Sequence, residues 1–325
     1  MTEPPLVWVI GSGGLLGSSV WSELGQNAWR PPHALTWRDP VRLAEELAEA
    51  VRAFGARVSA EGERPWAVAW CAGAGVVGTS AETLAPELSA LQSLLSLIST
   101  DPTLRARPGS IALSSSAGGV YGGCVESSIS ELTPPRPISA YGRAKLAQEE
   151  LFATWLESQP RVRGLVARFS NLYGPAQRLE KAQGLISHIS RCVIHSAPVH
   201  IYVSLDTIRD YLFADDAGRG LVEGLHRIAR DPLGEHKLTT KIYASEHEVS
   251  IAALLGVFRQ IARRRLRVVS GIHPVAALQP RRLCFRSQIW NTREPRVQLI
   301  EGVSRVYRQQ LALFRSGRLP MRVRI

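Results

Sequence analysis

Leu6-Val7-Trp8-Val9-Ile10-Gly11-Ser12-Gly13-Gly14-Leu15-Leu16-Gly17 begins with five apolar residues that run straight into a glycine loop. An apolar run of this length reads as a buried strand, and the stretch from Ser18 to Leu24 reads as a helix, so the loop joins strand to helix. Glycines at 11, 14 and 17 permit a tight turn, let backbone amides approach a pyrophosphate, and let the helix pack close while its N-terminus favours negative charge. The stretch therefore predicts a dinucleotide site at a first βα junction. Its cofactor-binding residues are Gly11, Gly14, Leu15, Leu16 and Gly17.

The pattern repeats outward from that loop. Strands are expected at Ala34 to Trp37, Trp66 to Cys71 (running into Ala72-Gly73-Ala74-Gly75), Ser110 to Ser114 and Val162 to Arg168, with helices at Val41 to Phe54, Glu82 to Ile98 and Ala140 to Glu157. Strands alternating with helices predict an α/β chain of Rossmann type, a doubly wound parallel sheet whose ligands gather at the strands' carboxyl ends. Past Pro175 the pattern loosens: a helix at Leu185 to His195, a strand at His200 to Val203, a helix at Asp215 to Ile228, a strand at Lys241 to Ala244, and helices near Val249 and Val297. We read residues 1–175 as the dinucleotide-binding domain and 176–325 as a smaller C-terminal α/β substrate lid.

With 325 residues, 45% of them hydrophobic and 21% charged, the chain can bury a large core, which excludes disorder. Met-Thr-Glu-Pro-Pro lacks a basic leader, and no apolar run approaches the roughly 20 residues of a membrane span, so a soluble, cytoplasmic protein without membrane contact is expected. Cys71, Cys124, Cys192 and Cys284 form no C-x-x-C pair, and His188, His195 and His200 have no ligand spacing, so neither disulfides nor a metal site is suggested. The net charge of +11 is arginine-rich and thickens toward Arg322 and Arg324 without interleaved aromatics. A solvated basic surface that attracts anionic nucleotides accounts for it more economically than nucleic-acid binding.

Three further segments carry chemistry. Tyr141-Gly142-Arg143-Ala144-Lys145 sets a Tyr four residues before a Lys, so on a helix both share one face and the ammonium can lower the phenol's pKa. Such a Tyr can move a proton on or off a substrate hydroxyl while a nicotinamide moves the hydride. Ser114-Ser115-Ser116 ends a strand, and Arg168-Phe169-Ser170-Asn171-Leu172-Tyr173-Gly174-Pro175 ends the next. Together with the glycine loop, these segments resemble the extended short-chain dehydrogenase/reductases, the NAD-dependent epimerase/dehydratase family, from about Leu6 to about Val303.

That resemblance implies a catalytic set of Ser116, Tyr141 and Lys145, with Ser115 as the alternative to Ser116, and Lys145 also holding the nicotinamide ribose. Ala72, Gly73, Phe169 and Ser170 would line the cofactor. Asn171, Arg209 of Arg209-Asp210-Tyr211, and Arg282 or its neighbour Arg281 would bind a nucleotide sugar's diphosphate, although Leu283-Cys284-Phe285 departs from the family pattern after those arginines. A lid-to-core ion pair from Arg209 to Asp215 or Asp216 is the competing structural role. The family's dehydratases place Asp-Glu after the catalytic Thr, whereas this chain has Ala117-Gly118, so dehydration is disfavoured. The expected activity is NAD(P)-dependent hydride transfer on a nucleotide-diphosphate sugar, by an epimerase or a 4-ketoreductase.

Arg38, expected after the second strand, favours NADP over NAD, while Asp39 can either cap the next helix or hold a ribose. The short region before Trp66 resembles that of the family's dTDP-4-keto-rhamnose reductase branch. Family habit also implies a homodimer through the helix bearing Tyr141 and the helix before it. A reading from another class is a non-catalytic, cofactor-binding relative whose basic surface holds RNA.

Overall fold

In a computed structural model, which describes residues 3–177, 184–230, 236–271, 279–290 and 297–319, Leu6–Ile10 is strand β1 and every residue of it is buried. It is followed by helix α1 (Leu15–Leu24), strand β2 (Ala28–Trp29), helix α2 (Pro40–Ala60), strand β3 (Trp66–Trp70), helix α3 (Ala81–Thr100) and helix α4 (Pro102–Ala106). Next come β4 (Gly109–Ser116), α5 (Ala117–Val120), α6 (Ala140–Glu157), β5 (Val162–Phe169) and β6 (Asn171–Tyr173). The remainder is α7 (Leu185–Ile194), β7 (Val199–Ile201), β8 (Ile208–Arg209), β9 (Tyr211–Phe213), α8 (Ala214–Arg230), β10 (Leu238–Tyr243), β11 (Val249–Ser250), α9 (Ile251–Ala262), β12 (Val268–Ser270) and α10 (Leu299–Arg315).

Six strands form one parallel sheet in the order β10-β5-β4-β3-β1-β2. Strands covered on both faces must be apolar throughout, which is why β1 and β3 read as continuous apolar runs rather than alternating ones. Trp8 and Ile10 pack with Leu47 of α2, Leu94 of α3 and Phe152 of α6 on one face; Val7 and Val9 pack with Val20 of α1 and Leu221 and Leu225 of α8 on the other. From β1 the chain steps outward to β2 and then returns to the far side of β1 as β3. The order reverses there, with Ile10 level with Trp70, so the loops after β1 and β3 emerge side by side.

The second strand stands at Ala28–Trp29, not at Ala34 to Trp37. Pro31 and Pro32 have no N–H to give a ladder and stop the pairing. Residues 34–36 are irregular and lead into a turn at Trp37 and Arg38, held against α2 by the Thr36 amide and hydroxyl, which bond Glu46 at 2.6 and 2.8 Å. Asp39 caps α2 by accepting from the amides of Val41 and Arg42, which decides between the two roles left open for it. Arg38 is therefore exposed in the turn, while the residue directly after β2 is Arg30, its guanidinium 4.8 Å from the Trp21 ring centroid.

The strand expected at Lys241 to Ala244 belongs to the main sheet rather than to a lid. It starts at Leu238 and pairs with β5 from Gly164 to Phe169. The buried stripe of α8 (Leu221, Val222, Leu225) packs into the sheet's own core and brings the chain back to that edge. The smaller core joins α7, α9 and α10 through Ile189, Val193, Leu254, Phe258, Val303 and Val306. Arg322 and Arg324 lie outside the described residues, as do parts of segments 179–207 and 272–291. Among the described residues no helix is long and apolar enough to cross a membrane.

Candidate active site

Gly11 has φ +85, and a Cβ there would stand 2.8 Å from the Ala72 amide nitrogen. Glycine is thus required both for the turn and for contact between the two loops at the reversal. Helix α1 starts at Gly14 with no side-chain cap, whereas Asp39, Ser80 and Ser139 cap α2, α3 and α6. The first-turn amides of α1, including those of Leu15 and Leu16, therefore meet no capping side chain at the point where anions favour a helix N-terminus. This cradle, with Ala72 and Gly73 beside it, fits a dinucleotide pyrophosphate.

Tyr141 stands at the start of α6, whose cap Ser139 accepts from the Gly142 amide at 3.0 Å. Its ring lies between two glycines: a Cβ on Gly75 or on Gly119 would come within 3.1 Å of it. The sequence left Ser115 and Ser116 open, and the structure separates them. Ser115 is buried and donates to Glu149. Ser116, at the end of β4, accepts from the Gly119 amide at 3.1 Å and hydrogen-bonds the Tyr141 phenol.

Lys145 is buried on the same helix and donates from Nζ to Gln148 Oε1 at 3.0 Å. Burial lowers the pKa of its ammonium, against the supporting charges of Glu87 and Glu149. The expected lowering of the phenol by Lys145 is not found. Burial pushes Tyr141 up to about 12, Ser116 opposes the rise and the Glu87 charge adds to it. The ammonium is turned to Gln148, so it does not offset the phenol's burial.

Arg168 is an internal strut. Its Nε lies 3.1 Å from each oxygen of Glu149 and its Nη2 2.5 Å from Oε2, and it also bonds Tyr121. Burial works against its charge, but the bonds and charge of Glu149 outweigh it and raise the guanidinium's pKa. Phe169 is buried and stacked on Tyr243, and Ser170 donates to Asp210 at 2.5 Å, so both side chains are engaged in packing at the end of β5. Burial raises the Asp210 carboxyl's pKa, opposed by bonds from Ser170 and Ser245.

The chain brings Asn171 and Arg209 into one neighbourhood. Asn171 donates from Nδ2 to the Asp210 carbonyl at 2.8 Å, where β6 runs beside β9. Arg209 is buried with no carboxylate partner among the described residues, bonding only the Ile208 carbonyl and Gln279. The competing ion pair is not formed, since Asp215 meets Arg305, and Asp216 meets Arg219 and the Val297 amide. Burial lowers the Arg209 pKa, the condition of a cation lacking its anion. Arg282 reaches the same strand through a backbone bridge to Ile208, but its guanidinium is held by Glu248 at 2.9 and 3.1 Å.

Sequence reasoning missed Glu87 and Gln148. Glu87 accepts from the amides of Ala74 and Gly75 in the loop after β3, 12–13 residues away, and no spacing signals that contact. Gln148 is three residues after Lys145, a helical spacing that could have flagged it as the ammonium's partner.

Comparison with known proteins places the chain in a family. The model of the NAD dependent epimerase/dehydratase family matches residues 7–237. A dTDP-L-rhamnose 4-epimerase of Burkholderia thailandensis is 33% identical over 101 residues, which are 31% of this chain and 27% of that protein. A dTDP-glucose 4,6-dehydratase of Neisseria gonorrhoeae is 34% identical over 93 residues, 29% of this chain and 26% of that one. The matched stretches span about a quarter of each curated relative's length. The solved UDP-glucose 4-epimerase of Thermotoga maritima, with UDP-glucose, superposes with a TM-score of 0.72 over 96% of this chain and 99% of that one at 18% identity, a likeness of fold.

Proposed function

The chain belongs to the NAD dependent epimerase/dehydratase family, and from this we propose that it catalyses NAD(P)-dependent hydride transfer on a nucleotide-diphosphate sugar, as an epimerase or a 4-ketoreductase. The observation that carries the reading is the hydrogen bond of Ser116 to the Tyr141 phenol, with Lys145 buried on the same helix and both Tyr141 and Lys145 adjoining the loop after β3 that abuts Gly11. When bound, the nicotinamide supplies the hydride acceptor or donor. Tyr141 exchanges the proton of the sugar hydroxyl, Ser116 hydrogen-bonds the same oxygen, and Lys145 leaves Gln148 to hold the ribose. Dehydration is disfavoured, because buried Ala117 and the adjoining Gly118 supply no carboxyl group after Ser116. Identifying the nucleotide released on denaturation tests the reading: stoichiometric NAD marks an epimerase, an empty site that takes up NADPH marks a reductase, and a protein that neither carries nor binds a nicotinamide cofactor removes it.

We assign the diphosphate to Asn171 and Arg209; Arg282 would first have to leave Glu248. Arg209→Ala is expected to raise KM for a nucleotide sugar by a factor corresponding to roughly 2 kcal/mol and to leave kcat nearly unchanged, because a contact made equally in ground and transition states is uniform binding. Arg308→Ala, at an exposed position of α10, should stay within about twofold, since screened surface charge acts weakly. Equal effects in steady-state kinetics would mean that bulk charge attracts the ligand.

NADP is proposed over NAD on an arginine near β2: Arg38 in the turn before α2, or Arg30, which directly follows the strand. Replacing the one that meets the 2′-phosphate with Ala should weaken NADPH by roughly 1.5–3 kcal/mol and spare NADH. Titration of Arg38→Ala and Arg30→Ala in parallel decides which of the two guanidiniums near β2 reads a 2′-phosphate, and equal loss of both cofactors in both variants would exclude that role. A second copy of the chain is proposed to pair through α3 and α6.

A further inference from the structure

Glu87 is a half-buried carboxylate that the proposed chemistry does not use. It lies on α3 directly after Pro86. Its Oε1 accepts from the amides of Ala74 and Gly75 at 2.6 and 3.0 Å, which pins the group to the loop after β3. Glu87 Oε2 and Lys145 Nζ each lie 3.4 Å from the point where a Cβ on Gly73 would stand, and Gly75, two residues on, abuts the Tyr141 ring. One anchored negative charge therefore stands at the loop that both members of the pair adjoin, and its charge acts on each of them.

The other groups around the pair do not do the same. Glu149 is the second carboxylate acting on Lys145, but it is locked between Arg168 and Ser115 and does not act on Tyr141. Ser116 at the phenol and Gln148 at the ammonium are neutral. Arg143, on the same helix, is exposed and bonds the Ile138 carbonyl.

We infer that Glu87 is a positioning residue whose fixed negative charge holds the Tyr141 phenol protonated and the Lys145 ammonium charged, setting the resting site to donate a proton. A negative charge disfavours the phenolate and favours the ammonium, so its removal lowers both titrations. The consequence for turnover rests on the hydride-transfer reading, with Tyr141 as the proton donor in the reductive direction. The ionisation itself does not.

Lysine-selective labelling makes the ionisation measurable, because the chain has only Lys145, Lys181, Lys237 and Lys241. The Lys145 signal of protein labelled with carbon-13 at lysine Cε is assigned by its loss in Lys145→Met, and its titration is followed by NMR. Glu87→Gln keeps an acceptor for both loop amides and removes the charge; it should bring the Lys145 titration down by about one pH unit or more. Glu87→Asp, which keeps the charge, should fall between that and the wild type. An unchanged Lys145 titration in Glu87→Gln overturns the inference, and if that variant does not fold, Glu87→Ala is judged by the same shift. In turnover, the alkaline limb of the reductive pH profile should move to lower pH in Glu87→Gln. Absence of turnover in the wild type would remove the functional reading and leave the Lys145 titration to decide on Glu87.

Discussion

Tyr141→Phe is expected to lose at least roughly a hundredfold in turnover while binding the cofactor almost as before, the usual scale for a lost general acid or base. The substitution removes one hydroxyl. The ring stays between Gly75 and Gly119, so packing at the start of α6 is kept and the loss reports the proton step. Ser116 keeps its bond from the Gly119 amide and cannot replace the phenol, since its hydroxyl is placed to hydrogen-bond rather than to ionise. Lys145→Ala should differ by weakening cofactor binding as well. Steady-state rates with cofactor titration check this, and undiminished turnover in Tyr141→Phe would remove the phenol from the chemistry.

The largest expected effect on stability lies about two helical turns past Tyr141 on α6. Glu149→Ala should destabilise the fold by about 3–5 kcal/mol, because it leaves the Arg168 guanidinium buried without its counter-charge. Tyr121 would remain as its polar partner, and it does not carry the missing charge. Since the pair ties the end of β5 to the helix that carries Tyr141 and Lys145, the same variant should also loosen the site. Denaturant unfolding measures the loss, and a change below about 1 kcal/mol would show that Arg168 finds another partner or reaches water.

Local signals made the sheet's central strands and the Tyr141 helix legible. β1 and β3 are apolar on both faces, and α6 spans Ala140–Glu157 as expected. The second strand differs from its expected place because the apolar character of residues 34–37 serves the packing of an irregular segment: Leu35 joins the core beside α2, and Trp37 meets Trp70 edge-on at 5.9 Å. A two-residue strand ended by prolines leaves almost no pattern to detect.

Within the site, the sequence placed Tyr141 and Lys145 on one face but could not show where the ammonium points, because Gln148 competes for it. The choice between Ser115 and Ser116 depended on Glu149, 34 residues away, and on the buried arginine that holds it. Glu87 shows the same limit, since its role comes from a loop that only the fold brings to α3.

Deuterium transfer between sugar and nicotinamide tests the central claim most directly. Nucleotide-diphosphate sugars deuterated at the sugar C4 are incubated with the protein and oxidised cofactor, and the corresponding 4-keto sugars with deuterated reduced cofactor, before sugar and nicotinamide are separated and weighed by mass spectrometry. The wild type is expected either to move the label between the sugar carbon and the nicotinamide, as a reductase, or to form the C4 epimer with the label retained at C4, as an epimerase, and Tyr141→Phe to do so at least roughly a hundredfold more slowly. A wild type that yields neither a labelled nicotinamide, nor a labelled reduced sugar, nor a C4 epimer, across both UDP- and dTDP-linked sugars, would contradict the hydride-transfer reading.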